Sequence, residues 1–460
     1  MSAMDLTILR KKWLVPLVFF EVYLSVTVAL FFFGPWPWEI DRPILLVSYL
    51  VAAQLFIAMG YLLAWRRVHR RHQATEGPAG NLISGVSFLK RSLQITCILI
   101  VPTALSRTGD FLPNIFEGLS DAGAVYNRNF ERLQDGNPFI VVEYLRMLFA
   151  PFLVAVFPLT VVYWSRLNRK LKLLSSVVIF FNLSLYLATG TNKGMADFVV
   201  TLPWLIFLGV STGLLHLQIR RRWVVVCVVV LFIVFLQFFG WGQAEREGGV
   251  GELGVLNTGS GLIEADRNNF LSLLLSDSQR IIFESLARYV GQGYYALSMS
   301  FDLEHTSTLG LGHSMFLARN ADAIFNTDYF TSGSLPGLLE TNSGWGMFAL
   351  WHSIYPWLAS DIGFVGALFA LAVFAYLLGL SWGFSLLTAS PQWIILFYLL
   401  LILFFYIPAN NQIFQSGETC MAFFFIIFAI ILDKKRCALN EKTEGLALKP
   451  GLSSDTQIQR

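Results

Sequence analysis

Arg280, Glu284 and Arg288 stand at i, i+4 and i+8. That spacing puts all three on one face of a helix, with Ile281, Phe283, Leu286 and Val290 on the others. Two guanidinium forks on one face can hold a pyrophosphate, because Arg matches phosphate oxygens bidentately and keeps its charge. The same spacing also describes a solvated stripe of salt bridges. His313 sits in Gly310-Leu311-Gly312-His313-Ser314, where two glycines allow close backbone approach around an ionisable ring. It could bind phosphate, move a proton, or serve as a satisfied structural histidine. Lys193 lies in the polar turn Gly190-Thr191-Asn192-Lys193-Gly194 between two apolar runs. An ammonium there suits a lipid phosphate, or simply snorkels from a helix end. Glu143 and Arg146 fall inside an apolar run, where ionisable residues are costly and so mark functional sites or pair with each other. His352, Tyr294, Tyr295, Tyr355 and Arg319 are further candidates for substrate contact. No Asp-x-Asp or His-x-x-x-His cluster, Gly-x-Ser-x-Gly elbow or Walker loop is present in these segments, so neither a metal nor a nucleotide is expected.

These residues need a membrane scaffold to position them. Of the 460 residues, 55% are hydrophobic and 14% charged, whereas soluble chains carry about 25% charged residues. Mean hydropathy is +0.60, which places the chain in a bilayer. A net charge of +3 implies no nucleic-acid partner. Cys97, Cys227, Cys420 and Cys437 show no paired spacing, so neither a structural disulfide nor a Cys-bound metal is expected.

Apolar runs long enough to cross all or most of a bilayer recur near 14–33, 43–64, 92–105, 139–163, 173–189, 196–214, 223–240, 361–382, 393–409 and 418–432. The expected fold is therefore an all-α polytopic membrane protein of about ten transmembrane helices. Alternate loops and both termini hold 22 of the 33 Lys and Arg residues, which puts both termini in the cytoplasm. Four regions follow: helices one to seven in 1–240, a long extracytoplasmic loop in 241–360, helices eight to ten in 361–432, and a cytoplasmic tail in 433–460. A loop of about 120 residues is far beyond ordinary connections and calls for a function. It opens on a Gly-rich stretch containing Gly248, Gly249, Gly251, Gly254, Gly259 and Gly261. Apolar periodicity predicts a helix over 268–300 with Asp266 as N-cap. A second helix, lying at the bilayer surface, is predicted over 344–357 from Trp345, Phe348, Trp351, Tyr355 and Trp357.

The segments 289–298 (Tyr289-Val290-Gly291-Gln292-Gly293-Tyr294-Tyr295-Ala296-Leu297-Ser298), 309–316, and 341–344 running to 361–366 resemble the bacterial O-antigen polymerase (Wzy) family, which is related to the O-antigen ligases. The turn 190–194 resembles the Gly-Thr-Asn-Lys turn of such polymerases, and Arg280 with Gly291 fits an Arg-x10-Gly loop pattern of some members. The resemblance implies a C-type membrane glycosyltransferase in the bacterial inner membrane with a periplasmic active site. Such an enzyme polymerises undecaprenyl-pyrophosphate-linked repeat units into O-antigen polysaccharide during lipopolysaccharide biosynthesis, without cofactor or metal. Its partners are the lipid-linked glycan, membrane lipid and a chain-length regulator protein. Under that resemblance Arg280, Arg288 and Lys193 recognise the pyrophosphate, His313 and Arg319 lie in the site, and Glu252, Glu340 or His313 is the general base. The alternatives are an O-antigen ligase and a lipid-linked oligosaccharide flippase.

Overall fold

A computed structural model describes residues 5–74, 79–134, 138–217, 220–246, 254–304 and 306–447. It is almost entirely helical. Long helices α1 (Leu6–Phe33), α2 (Pro43–Ala74) and α3 (Ala79–Thr108) are followed by short α4 (Ile115–Ser120) and α5 (Ala122–Gln134). Next come α6 (Ile140–Leu148), α7 (Ala150–Tyr163), α8 (Arg169–Ala188), α9 (Lys193–Ser211) and α10 (Arg221–Arg246). A hairpin of β1 (Val255–Asn257) and β2 (Leu262–Glu264) leads to α11 (Phe270–Leu273), α12 (Asp277–Ser300), α13 (Met315–Phe325), α14 (Tyr329–Ser332) and α15 (Leu335–Ser343). The chain ends in α16 (Ile354–Thr388), α17 (Pro391–Tyr406), α18 (Gln412–Gln415) and α19 (Gly417–Ala447).

Among the described residues seven helices are long and apolar enough to cross a membrane: α1, α2, α3, α8, α9, α10 and α16. The pair α6 and α7, bent by 64° at Phe149, makes an eighth if taken as one span, and α17 is apolar but shorter. All ten expected segments are helical, and the chain is an all-α multi-pass membrane protein. The aliphatic side chains Val15, Val18, Val22 and Val26 of α1 point outward, as suits a lipid-facing surface.

The centre is built on α2 against α16, the most extensive helix pair. Gly60 and Gly379 permit the approach: a Cβ on Gly60 would meet the Ala372 carbonyl oxygen at 2.0 Å. The buried indoles and phenol here carry their polar ends to backbone carbonyls, Trp13 Nε1 donating to Gly379 (2.8 Å), Trp382 Nε1 to Lys12 (3.0 Å) and Tyr61 Oη to Trp13 (2.5 Å). Their hydrogen-bonding groups are thus satisfied without water.

The long connection differs from expectation in two places, the start of its long helix and the stretch 344–353. Asp266 caps no helix; its carboxylate accepts from the Asn268 amide (2.9 Å) and its own N–H donates to the Pro35 carbonyl (2.7 Å). The polar Ser276-Asp277 step breaks the periodic run, and α12 starts there with a capping box between Ser276 and Gln279. The Gly-rich opening holds a hairpin whose tip, Gly259 at φ +87°, packs on Gly344; a Cβ there would be 2.0 Å from the Gly344 carbonyl oxygen. Gly248, Gly249 and Gly251 lie outside the described residues. Finally, 344–353 is not a helix. Trp345 is buried against Tyr295 and donates its indole N–H to the Trp351 carbonyl (3.3 Å), so it folds inward while Phe348 stays exposed, and α16 begins only at Ile354.

Candidate functional site

The turn before α9 is rigid. Gly190 has φ +64°, and a Cβ on it would lie 2.5 Å from the Ala122 carbonyl oxygen. The Thr191 amide returns to the Tyr186 carbonyl (2.9 Å). Lys193 is therefore fixed as the first residue of α9, at the end where unpaired amides and the helix dipole concentrate positive charge. Two cavities meet here, and Thr191 and Lys193 line both.

The larger, about 580 Å³, is walled by Lys193, Arg288, Gln292, Trp351, His352 and Gln412. Among the described residues no Asp or Glu lines it. Arg288 sits on the buried stretch of α12, 5% exposed, with its guanidinium 5.9 Å from the Trp36 ring centre. Trp36 in turn donates to the Glu284 carbonyl (2.8 Å), which ties α12 to the chain leaving α1. His352 lies in the connection before α16 and is buried; desolvation lowers its pKa from the usual 6.5 to about 3, with only partial opposition from the Gly346 backbone. At neutral pH its ring is uncharged. Among the described residues the two cations of this cavity are thus Lys193 and Arg288, reinforced by the N-terminus of α9.

The smaller, about 370 Å³, carries both signs: Arg107, Arg146 and Lys193 against Asp197 and Glu418. The Arg146 guanidinium is in close contact with the Glu418 carboxylate and donates to Thr103 Oγ1 (2.8 Å). Arg107 lies 3.6 Å from Glu418, while Glu143 sits between the two arginines and accepts from Ser106 Oγ (2.8 Å). This network joins α3, α6 and α19 and neutralises both arginines within itself. Asp197 stands one helical turn after Lys193, lines the smaller cavity, and hydrogen-bonds Tyr406, which lines the larger. Its partners leave it less committed than Glu418.

The structure brings together Lys193, Arg288 and His352 in one cavity, and Lys193 and Arg146 in the other. Arg319 is exposed and stands over Phe348, 5.6 Å from the ring centre, at the rim of the larger cavity. The remaining expected residues lie elsewhere. Arg280 is paired with Asp277 (2.8 Å) and near Glu284 (3.8 Å), away from both cavities. Burial raises the Glu284 pKa against the lowering pull of Arg280 and Arg267. The Arg280, Glu284, Arg288 face therefore runs from a solvated salt bridge at its start to a buried cation at its end.

His313 Nδ1 is 3.0 Å from Asp361 Oδ2. That carboxylate also accepts from the amides of Gly310, Gly312 and His313 (3.0, 3.1 and 2.8 Å) and from Thr308 Oγ1 (2.5 Å). The glycine-flanked turn is a clamp of 308–313 onto α16. Glu340 is exposed on α15, where its carbonyl accepts the Gly344 amide (2.9 Å). Tyr294 is buried with its hydroxyl 2.9 Å from Thr27 Oγ1, Tyr295 packs on Trp38, and Tyr355 meets Tyr49 edge-on. None of these lines either cavity. Glu252 lies outside the described residues.

Asp197 and Glu418 were missed by sequence reasoning. The signal for Asp197 was available, since it is the carboxylate at i+4 from Lys193 inside an apolar run. Glu418 opens the last run, and its link to Arg107 and Arg146 exists only in three dimensions. No family model, no curated protein and no solved structure matches the chain.

Proposed function

We propose that the chain is a metal-independent glycan polymerase of the O-antigen polymerase kind, extending undecaprenyl-pyrophosphate-linked oligosaccharide at the periplasmic face of a bacterial inner membrane. The observation that carries the reading is the cavity between Lys193, the N-terminus of α9 and Arg288, whose described lining residues include no Asp or Glu. A pyrophosphate ester is a compact dianion, and a helix N-terminus with two flanking cations is the kind of site that binds it. The orientation, with both termini cytoplasmic, rests on the skew of 22 of 33 basic residues to one set of loops.

In the proposed reaction the acceptor hydroxyl oxygen attacks the anomeric carbon of the donor glycan. The bond from that carbon to the pyrophosphate oxygen breaks, and charge collects on the leaving diphosphate. Lys193 and Arg288 stabilise that charge as it develops. The hydroxyl proton passes to a carboxylate, for which Asp197 is the candidate because Glu418 is held by two arginines. His352, neutral and buried, acts as a hydrogen-bonding wall rather than as a base at neutral pH. The partners are the lipid-linked glycan, surrounding lipid and a chain-length regulator.

The test is elongation in vitro. Purified protein in nanodiscs receives a lipid-pyrophosphate-linked repeat unit, with chelator and no nucleotide. A ladder of products is expected. Single units only, or transfer to a lipid A core acceptor without a ladder, would contradict the polymerase reading, the latter in favour of a ligase.

A further inference from the structure

The chain between β2 and α12 contains Phe270-Leu271-Ser272-Leu273-Leu274-Leu275, five large apolar residues in six. Phe270 is 62% exposed, Leu273 67% and Leu274 78%. Polar residues bracket the run, with Asp266, Arg267 and Asn268 exposed before it and Ser276 and Asp277 exposed after it. An apolar tip of this kind is unfavourable in water and marks a surface made to be covered.

The attachment of the tip says what covers it. The Asn269 side-chain amide donates to the carbonyls of both Phe33 and Gly34 (3.1 Å each). Its Oδ1 accepts the Leu271 amide (3.0 Å), so the same side chain caps α11. The Asp266 amide adds a bond to the Pro35 carbonyl (2.7 Å). Phe33 is the last residue of span α1, is itself 67% exposed, and marks the level at which that span leaves the hydrocarbon. The apolar tip is thus fastened, through two elements of backbone, to the height of the bilayer surface. Arg267 precedes it at a position suited to lipid headgroups.

We infer that 270–275 is a membrane wedge: Phe270, Leu273 and Leu274 insert among the acyl chains of the leaflet in which α1 ends, with Arg267 at headgroup level. Such insertion is the habit of short interfacial segments with one apolar and one charged side. Helix α12 starts two residues after the wedge, so the wedge sets the depth at which that helix, and Arg288 on it, is held. The inference is independent of the reaction proposed above.

The unaltered protein tests it. In proteoliposomes containing a phospholipid with a diazirine on its acyl chain, irradiation and trypsin digestion release the wedge within the peptide 268–280, bounded by Arg267 and Arg280. The peptide 13–66, which contains most of spans α1 and α2 because trypsin does not cut before Pro43, is the positive control. Lipid adducts on both peptides are expected; adducts on 13–66 with none on 268–280 would overturn the inference. The double variant Leu273→Asp, Leu274→Asp should lose adducts on 268–280 and keep them on 13–66. Undiminished labelling of 268–280 in that variant would likewise overturn it.

Discussion

Lys193 and Arg288 line one cavity from helices far apart in sequence: Lys193 opens α9, and Arg288 lies on the buried stretch of α12 some ninety residues later. Lys193 alone of the pair also lines the second cavity, where it stands near Asp197 and Glu418. A ligand held by both cations therefore lies beside the carboxylates of the neighbouring cavity without contacting the Arg107, Arg146 and Glu143 network directly.

Replacing Asp197 with Asn keeps the shape and removes the proposed proton acceptor. Steady-state elongation should show kcat reduced about 10²- to 10⁴-fold with KM little changed. A kcat within about threefold of the parent would remove Asp197 from that role.

The buried Arg146 and Glu418 pair should matter for folding more than for chemistry. Truncating Glu418 to Ala leaves two arginines facing only Glu143, and breaking a buried pair costs about 3–5 kcal/mol. The unfolding midpoint in detergent should fall accordingly. The Arg146→Ala, Glu418→Ala double variant should be more stable than the sum of the single losses predicts.

His352 gives a pH signature with a definite sign. Its folded pKa is depressed to about 3 from 6.5, so between those values the unfolded chain binds a proton that the folded chain refuses. Its contribution to stability is fully present above about pH 6.5 and is lost as pH falls towards 3, by up to about 1.4 kcal/mol per unit. The His352→Gln variant should show a shallower acid loss of thermal stability than the parent. Parallel curves would mean that the ring is not held neutral.

Gly293 in the middle of α12 has no room for a side chain. A Cβ would lie 2.0 Å from the Pro408 carbonyl oxygen and 2.8 Å from the Ser353 amide, both backbone atoms. Gly293→Ala should cost about 2–3 kcal/mol or more and lower the yield of monodisperse protein on size exclusion. Yield and midpoint equal to the parent would show that α12 can move away from those segments.

How much of this was legible in the sequence depended on the range of the interaction. Apolar runs and the Lys193 turn are local signals, and every expected run is helical. The i, i+4, i+8 row of α12 was legible as a face, but which end of it was buried was not, because that depends on Trp36, which reaches it from the far end of α1. His313 looked chemical because two glycines flank it; the reason for the glycines is a carboxylate 48 residues away, Asp361, which takes three of the turn's amides. The aromatic stretch at 344–357 had helical spacing, yet Trp345 spends its indole on Trp351 and the chain folds under α12 instead. Ion pairs between spans, such as Arg146 with Glu418, leave no periodic trace at all.

The central claim is that Arg288 and Lys193 hold the lipid pyrophosphate, whereas Arg280, on the same helix face, lies away from their cavity beside Asp277. Native mass spectrometry of the protein in detergent with an undecaprenyl-pyrophosphate-linked repeat unit measures this directly. Arg288→Ala and Lys193→Ala should each weaken binding by about tenfold or more, in line with about 1.5–3 kcal/mol for a charged hydrogen bond, while Arg280→Ala binds as the parent does. Equal affinity in all three variants, or a loss confined to Arg280→Ala, would contradict the account.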